Sequence, residues 1–457
     1  VPEKHPVVVV GGGVAGLTAA HALARRDVPV VVLEASGRWG GVVQTVRADG
    51  LVLETGPDAI LSTKPDGMAL LRALGLADRI VPTNPEQRTV YVVHRGALRP
   101  MPEGMVLGVP TRALPVLRSG LFSWPGKLRL LAEPLVRSRS AVPDESIADF
   151  ARRRLGREAW ERLADPLLGG IHAGDTERLS VRATFPRLVE LEARHGSLVR
   201  GFRAAAAPRA ESAPSAFVSL TGGLSELVDA LVRALPADAL RLNARVSALA
   251  RAGDGWRVST ADGAVDARAV VVALPAPRAH PLLRPLDEAL AADLAAIRFV
   301  STAIVLLAFD RSAVAHPLDG YGLLIPRAEG KRVTACGFFS TKFPGRAPAG
   351  TVTLRAFLGS SHDPAVLDLD DAALAALAVE ELTPLLGLRG APRHVRVCRW
   401  PESTPQMEVG HDARVRRVEE RLATLPGLFL TGAGLRVTGL PDTIADAVAA
   451  ADRVATR

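Results

Sequence analysis

Three glycines constrain how this chain begins. Gly11-x-Gly13-x-x-Gly16 follows the β-branched run Val7-Val8-Val9-Val10 and precedes Leu17, Ala20 and Leu23 at helical spacing. The pattern predicts a strand over 7–10, a turn, a helix over 14–26 and a second buried strand over 28–33. Strand, crossover helix and strand form a βαβ unit whose parallel strands need cover on both faces, so the expected fold class is α/β, a doubly wound Rossmann-type domain. Each glycine has a mechanical reason. Gly11 permits the tight turn, Gly13 lets backbone N–H groups approach a pyrophosphate, and Gly16 lets helix and strand pack closely. The helix N-terminus at Val14 and Ala15 favours an anion. Glu34 ends the second strand 18 residues after Gly16, where with Ala35 it is placed to receive ribose hydroxyls. A dinucleotide site is expected.

The rest of the composition narrows the setting. At 457 residues and 48% hydrophobic, the chain has material for two or three cored domains. The net charge of +8 is carried almost wholly by arginine, since only five of the 56 basic residues are lysine. That balance favours anionic partners. It does not favour nucleic acid, because no basic block and no aromatic-rich motif accompanies it. Cys336 and Cys398 form neither a disulfide framework nor a ligand pair, which suits a reducing, cytoplasmic setting. The apolar window over 6–24 is broken by glycines, so it reads as strand, turn and helix rather than a leader or a membrane span.

Further along, the character changes several times. Residues 1–90 are expected to form the first part of the nucleotide domain. Residues 91–210 form an inserted helical domain rich in Arg, Leu, Pro and Ala. Residues 211–275 return to the nucleotide domain, 276–400 form a mixed-sheet substrate domain, and 401–457 close the first domain. Within the insert, Asp144-Glu145-Ser146 places acids where a helix starting after Pro143 needs them, and Gly156 suits its stop. Thr221 is expected to cap a helix whose Leu224, Leu227, Val228, Leu231 and Leu235 share one face. Asp254-Gly255 and Asp262-Gly263 read as hairpin turns. Alternating strands follow over 300–309, 321–325, 332–339 and 351–358, then a helix over 372–386, a strand over 428–431 and a helix over 441–453.

The motifs distinguish FAD from NAD. Gly37-Arg38-Trp39-Gly40-Gly41 resembles the arginine-diglycine motif of FAD-binding oxidases, in which guanidinium and glycine N–H groups meet phosphate and ribitol. Gly56-Pro57-Asp58-Ala59, Val246 and Trp400 are further expected contacts. No second GxGxxG occurs, so electrons are expected to come from the substrate itself. Near the C-terminus, Gly432, Thr438, Gly439 and Leu440 are expected to return the chain to the flavin, with the positive end of the last helix at its N1/O2 edge.

Asp165-Pro166-Leu167-Leu168-Gly169-Gly170-Ile171-His172-Ala173-Gly174-Asp175, with Leu179-Ser180 and Ala183-Thr184-Phe185-Pro186, resembles the signature of the flavin-dependent porphyrinogen oxidases of haem synthesis. Leu98-Arg99-Pro100-Met101-Pro102, Arg399-Trp400 with Pro405-Gln406, and Gly410-His411 agree, and the resemblance runs from the first strand to the last helix. Pro102-Glu103-Gly104, Gly108-Val109-Pro110-Thr111 and Glu402-Ser403 are more similar to the bacterial coproporphyrinogen III oxidases than to the protoporphyrinogen branch, which stands as the alternative. The resemblance implies FAD, a six-electron oxidation of a porphyrinogen by O2 with release of H2O2, and hand-off to a ferrochelatase. It implies no catalytic side chain beyond the flavin.

Lys64 aligns with a family lysine near a substrate propionate, and Arg99 could bind another carboxylate. His172 stands where relatives often have tyrosine, and either titrates at the site or is packed. Met407, Val437 and Thr443 depart from the family pattern too, and Arg436-Val437 bears on the substrate gap. The basic amphipathic stretch over 99–139 either rests on anionic lipid, giving peripheral attachment to the inner face of the membrane, or covers an ordinary core. A monomer and a homodimer both remain open. Amine oxidase-like chemistry and a cofactor-free carrier are the remoter alternatives.

Overall fold

In a computed structural model, residues 5–139, 144–205 and 215–456 are described. The opening strand β1 (Val7–Val10), helix α1 (Val14–Ala24) and strand β2 (Val30–Leu33) form as the glycine pattern predicts. They are joined by β3 (Leu240–Arg241), β4 (Ala269–Val272) and β5 (Leu428–Leu430), and α2 (Leu440–Ala455) follows. The sheet runs β3-β2-β1-β4-β5 and all its pairs are parallel.

Both faces of that sheet are buried, which explains a strand made of four valines. Val7 and Val9 pack into one core with α1, α2 and the helix Ser225–Arg233. Val8 and Val10 face the other core, with the antiparallel strands over 248–267 and the helices Ala276–Leu283 and Glu288–Ala295. Since those two helices cover the nucleotide sheet, the expected start of a separate substrate domain at 276 falls inside this layer.

A second sheet of seven strands has the order His394–Pro405, Phe299–Asp310, Thr351–Leu358, Ala335–Phe338, Gly320–Leu324, Thr89–His94, Ala97–Pro100. The helix Asp371–Leu386 covers one face. The hairpin Thr45–Ala48 with Leu51–Glu54 covers part of the other, through Leu51 and Leu53 against Ile304 and Leu306. Strands Thr89–His94 and Ala97–Pro100 thus belong to this sheet, whereas the expected boundary at 91 puts most of them in the helical insert. The 12-residue strand His394–Pro405 is not legible in the sequence, because Pro401 and a register shift near its end hide the alternation.

The helical layer runs from Ala113–Arg118 to Leu198–Ala205 around its own core. Ser146 caps the helix Ile147–Leu155 by accepting from the Asp149 N–H, and Gly156 ends it with φ +94°. Further on, Trp160–Gly169 winds as a π-helix around Pro166, whose missing N–H breaks the α-helical ladder.

Two local expectations are corrected. Thr221 does not cap the helix Ser225–Arg233; its hydroxyl donates to the Arg79 carbonyl, and the Glu226 side chain takes the Gly222 N–H. The hairpin corners are Gly253-Asp254 and Ala261-Asp262, one residue earlier than read, because Gly255 and Gly263 already pair in the strands. Among the described residues no helix is long and apolar enough to cross a membrane.

Candidate flavin site

The site is assembled from chain ends that meet over the C-terminal edge of the parallel sheet. Gly11 has φ +110°, and a Cβ there would lie 2.7 Å from the Ala273 carbonyl. Gly16 is tighter still, since its Cβ would fall 1.9 Å from the carbonyl oxygen of Gly11. These two glycines are required by the fold. Gly13 differs: its φ is ordinary and a Cβ would meet only the Cα of Gly41, at 4.0 Å. Gly13 and Gly40 bridge in parallel, and the Gly40 N–H donates to the Gly12 carbonyl at 2.8 Å. The two glycine motifs therefore form one backbone cradle with no side chain filling it.

Glu34 is placed by β2 and by its own backbone, whose N–H donates to the Arg241 carbonyl while its carbonyl accepts from Ala244. One carboxylate oxygen accepts the Gly12 N–H at 2.7 Å and the other accepts the N–H and hydroxyl of Ser36. The acid thus steadies the glycine loop as well as facing the ribose position. Ala35 follows it in sequence, and Val246, two residues beyond Ala244, is partly buried against the core on that face of the sheet. Among the described residues Arg38 makes one long hydrogen bond, 3.5 Å to the Trp39 carbonyl, and no ion pair, which leaves its guanidinium able to meet a phosphate.

The segment 54–59 is held from the second sheet. Trp400 donates its indole N–H to the Thr55 carbonyl at 2.5 Å, and its ring lies 3.8 Å from where a Gly56 Cβ would stand. Arg355 donates to the Gly56 carbonyl at 2.6 Å, and its guanidinium and the Lys342 ammonium each stand 2.9 Å from Asp58. Burial pushes the Asp58 carboxyl up, but the Lys342 and Arg355 charges outweigh it and bring its pKa to about 2. Behind them, Glu54 is fully buried, which raises its carboxyl to about 6 against hydrogen bonds from Leu224 and Thr45 and the charge of Arg346. The sequence reading missed Lys342, Arg346 and Arg355. Arg355 carried a usable signal, a lone charge at a buried position of an otherwise uncharged strand.

From the C-terminus, Gly432 (φ +116°) carries a turn past α1, where a Cβ on Gly432 would stand 3.8 Å from the Ala15 methyl, and Thr438 and Gly439 lead to Leu440, the first residue of α2. Asp446 supports this turn, accepting from the Thr431 hydroxyl at 2.6 Å and the Gly432 N–H at 3.2 Å.

The three substrate candidates fall in different places. Lys64 forms an ion pair with Asp442 in the first turn of α2, beside the glycine turn. His172 lies at the end of the π-helical segment, where its carbonyl accepts from Gln406 at 2.8 Å and its ring packs edge-on to Phe185. Gln406 directly follows the strand that carries Trp400, and this hydrogen bond ties the segment of His172 to the end of that strand. Burial lowers its pKa to about 4. Arg99 is on the strand at the opposite edge of that sheet from Trp400, with its side chain against Gly120. It is not brought to the others.

A backbone cradle of glycines, the Glu34 carboxylate at the end of β2, a guanidinium without an ion pair among the described residues and a helix N-terminus together fit a flavin dinucleotide. This is the layout of a flavin-containing oxidoreductase. The model of the flavin-containing amine oxidoreductase family matches residues 14–457. The chain is 34% identical to the coproporphyrinogen III oxidase of Bacillus subtilis, over 97% of this chain and 96% of that protein. It is 37% identical to that of Propionibacterium freudenreichii, covering 98% of this chain and 90% of the other. A crystal structure from Exiguobacterium, provisionally described as a protoporphyrinogen oxidase, superposes with a TM-score of 0.88 at 32% identity, covering 99% of this chain and 98% of that one. The chain belongs to the porphyrinogen oxidases of the flavin-containing amine oxidoreductase family, and its cofactor is FAD.

Proposed function

We propose that the protein oxidises coproporphyrinogen III to coproporphyrin III, with O2 as the electron acceptor and H2O2 as its product. The observation that carries the reading is the near full-length similarity to bacterial coproporphyrinogen III oxidases, over 97% and 98% of this chain. Bound FAD supplies the hydride acceptor and the route to O2. The side chains then have the work of binding and alignment: the cradle of Gly13, Gly40 and Gly41 takes the pyrophosphate, Glu34 the ribose and Arg38 a phosphate. Gly56, Pro57, Asp58 and Ala59 with Trp400 back the ring system, and Gly432, Thr438, Gly439 and Leu440 approach it from the other end. Removing a hydride from a porphyrinogen meso carbon needs close, fixed positioning more than a nucleophile.

Lys64 supplies a cationic contact for a propionate after exchanging Asp442 for the substrate, whereas Arg99, at the far edge of the second sheet, is left out of the site. Protoporphyrinogen IX, with two propionates, is the alternative substrate, supported by the Exiguobacterium structure. Competitive turnover of both porphyrinogens by the holoprotein, followed by porphyrin fluorescence and H2O2 release, tests the choice. Coproporphyrinogen is expected to win, and equal or inverted preference overturns the assignment.

The surface supports peripheral attachment to an anionic membrane. Trp124 and Leu128 are about two-thirds exposed one helical turn apart, Leu114 and Leu135 are exposed as well, and Arg112, Arg118 and Arg137 accompany them. The product is a metal-free porphyrin, so the reaction that consumes it is metal insertion by a chelatase.

A further inference from the structure

Arg436 stands in the loop between β5 and α2, where the sequence suggests a guanidinium bearing on the substrate gap. It points elsewhere. Its Nε donates to Glu419, on the helix His411–Ala423, at 2.7 Å, and its Nη1 donates to Asp446 at 3.0 Å and to the Leu430 carbonyl at 3.3 Å. One side chain thereby joins two helices and the last strand of the parallel sheet.

The partner that matters is Asp446, whose side chain is only 6% exposed. One of its oxygens meets Arg436 while the other takes the Thr431 hydroxyl and the Gly432 N–H. Gly432 in turn lies against Ala15, in the first turn of α1, the end directed at the pyrophosphate. A buried negative charge therefore sits behind the turn that closes the dinucleotide site. Alone, it would repel the anionic cofactor through a medium that screens poorly.

We propose that Arg436 is a positioning residue for FAD: it neutralises Asp446 so that this carboxylate can anchor the turn over 431–432 without repelling the pyrophosphate. Arg453 is a second cation within electrostatic reach of Asp446 and Glu419, but of the two cations Arg436 is the one that donates to the Asp446 carboxylate among the described residues. The inference rests on the FAD-site reading and adds a residue that touches no part of the cofactor cradle.

The test is FAD binding to reconstituted apoprotein, read by quenching of flavin fluorescence, with far-UV circular dichroism of each apoprotein as the check on folding. Removing one member of a largely buried ion pair, Arg436→Gln, is expected to raise the FAD dissociation constant between about tenfold and a hundredfold. Arg436→Gln combined with Asp446→Asn is expected to return to within about threefold of native, because the uncompensated charge is gone. Arg436→Lys and Asp446→Asn alone are expected to stay near native. Arg436→Gln binding as tightly as native overturns the proposal. So does a double variant as weak as Arg436→Gln, which would mean a role in packing only. If Arg436→Gln does not fold, a tenfold or greater loss in Arg436→Lys or Asp446→Asn overturns it instead. Native apoprotein that binds no FAD overturns the cofactor reading itself, a result distinct from these.

Discussion

Arg355 lies 2.9 Å from Asp58 and donates to the carbonyl of Gly56 at 2.6 Å, so a strand of the second sheet grips the loop of the nucleotide domain by both a side chain and its backbone. Lys342 meets the same carboxylate. The contact fixes where the two sheets stand relative to one another on the flavin side, and it gives the loop an electrostatic signature.

That signature is a dependence on acid. Although burial alone raises the Asp58 pKa, its two cations bring it to about 2, below the ordinary 3.8. The ionised form is the one the fold favours. Its contribution is complete above pH 3.8 and is lost as pH falls through 2. Asp58→Asn is expected to cost about 2 kcal/mol at neutral pH. Urea unfolding of both proteins from pH 7 to pH 2.5 should show a constant gap down to about pH 4 and a narrowing one below it.

Two neighbouring glycines should separate folding from binding. Gly16→Ala places a methyl 1.9 Å from the Gly11 carbonyl, so the loop or the helix must move and the apoprotein should be destabilised. Gly13→Ala meets nothing closer than 4.0 Å, so the apoprotein should unfold within about 1 kcal/mol of native. The same methyl occupies the cradle, and Gly13→Ala should be purified colourless. Melting curves and the ratio of flavin to protein absorbance read the two effects separately.

Glu34 has two duties, and its variants should show both. Glu34→Ala removes the acceptor for the Gly12 N–H, at 2.7 Å, together with the acceptor for ribose. We expect FAD affinity to fall about tenfold to a hundredfold, by comparison with the loss of other charged hydrogen bonds. Glu34→Gln, which keeps an acceptor oxygen, should lose less. Titration of apoprotein with FAD distinguishes them.

His172 titrates in the opposite sense from a paired histidine. Burial lowers its pKa from 6.5 to about 4, so between these values the unfolded chain takes up a proton that the folded protein refuses. Stability therefore falls as pH drops from 6.5 towards 4, by about 3 kcal/mol from this residue. His172→Phe, which keeps an edge-on contact with Phe185, should be spared that share of the loss. Denaturation at pH 7 and pH 4.5 measures it, and equal losses in the two proteins would remove the assignment.

The sequence was most legible where the backbone itself is the constraint. Gly11 and Gly16 fill positions that a Cβ cannot occupy, and Val7 to Val10 are apolar on both sides because both faces of a parallel sheet are covered. Gly156 likewise ends its helix where a positive φ is needed, while the helix itself starts at Ile147, three residues later than the acids at 144 and 145 suggest. Such requirements are local, and local requirements leave a pattern in neighbouring residues.

Long-range partners left no such pattern. Thr221 has the chemistry of a helix cap, yet the Arg79 carbonyl, brought near by strand pairing, claimed its hydroxyl. Arg99 and Lys64 were both plausible propionate ligands by motif, but one lies at the far edge of a seven-stranded sheet and the other is paired with Asp442. The strand over 394–405 and the clustering of Lys342 and Arg355 on Asp58 became visible only once the sheets were packed. The chain alone determined the Rossmann-type start, the dinucleotide motifs and the family, because each is written in contiguous residues. Which charges neutralise which was decided by tertiary structure, since an ion pair depends on separation in space and Arg355 and Asp58 are almost three hundred positions apart in sequence.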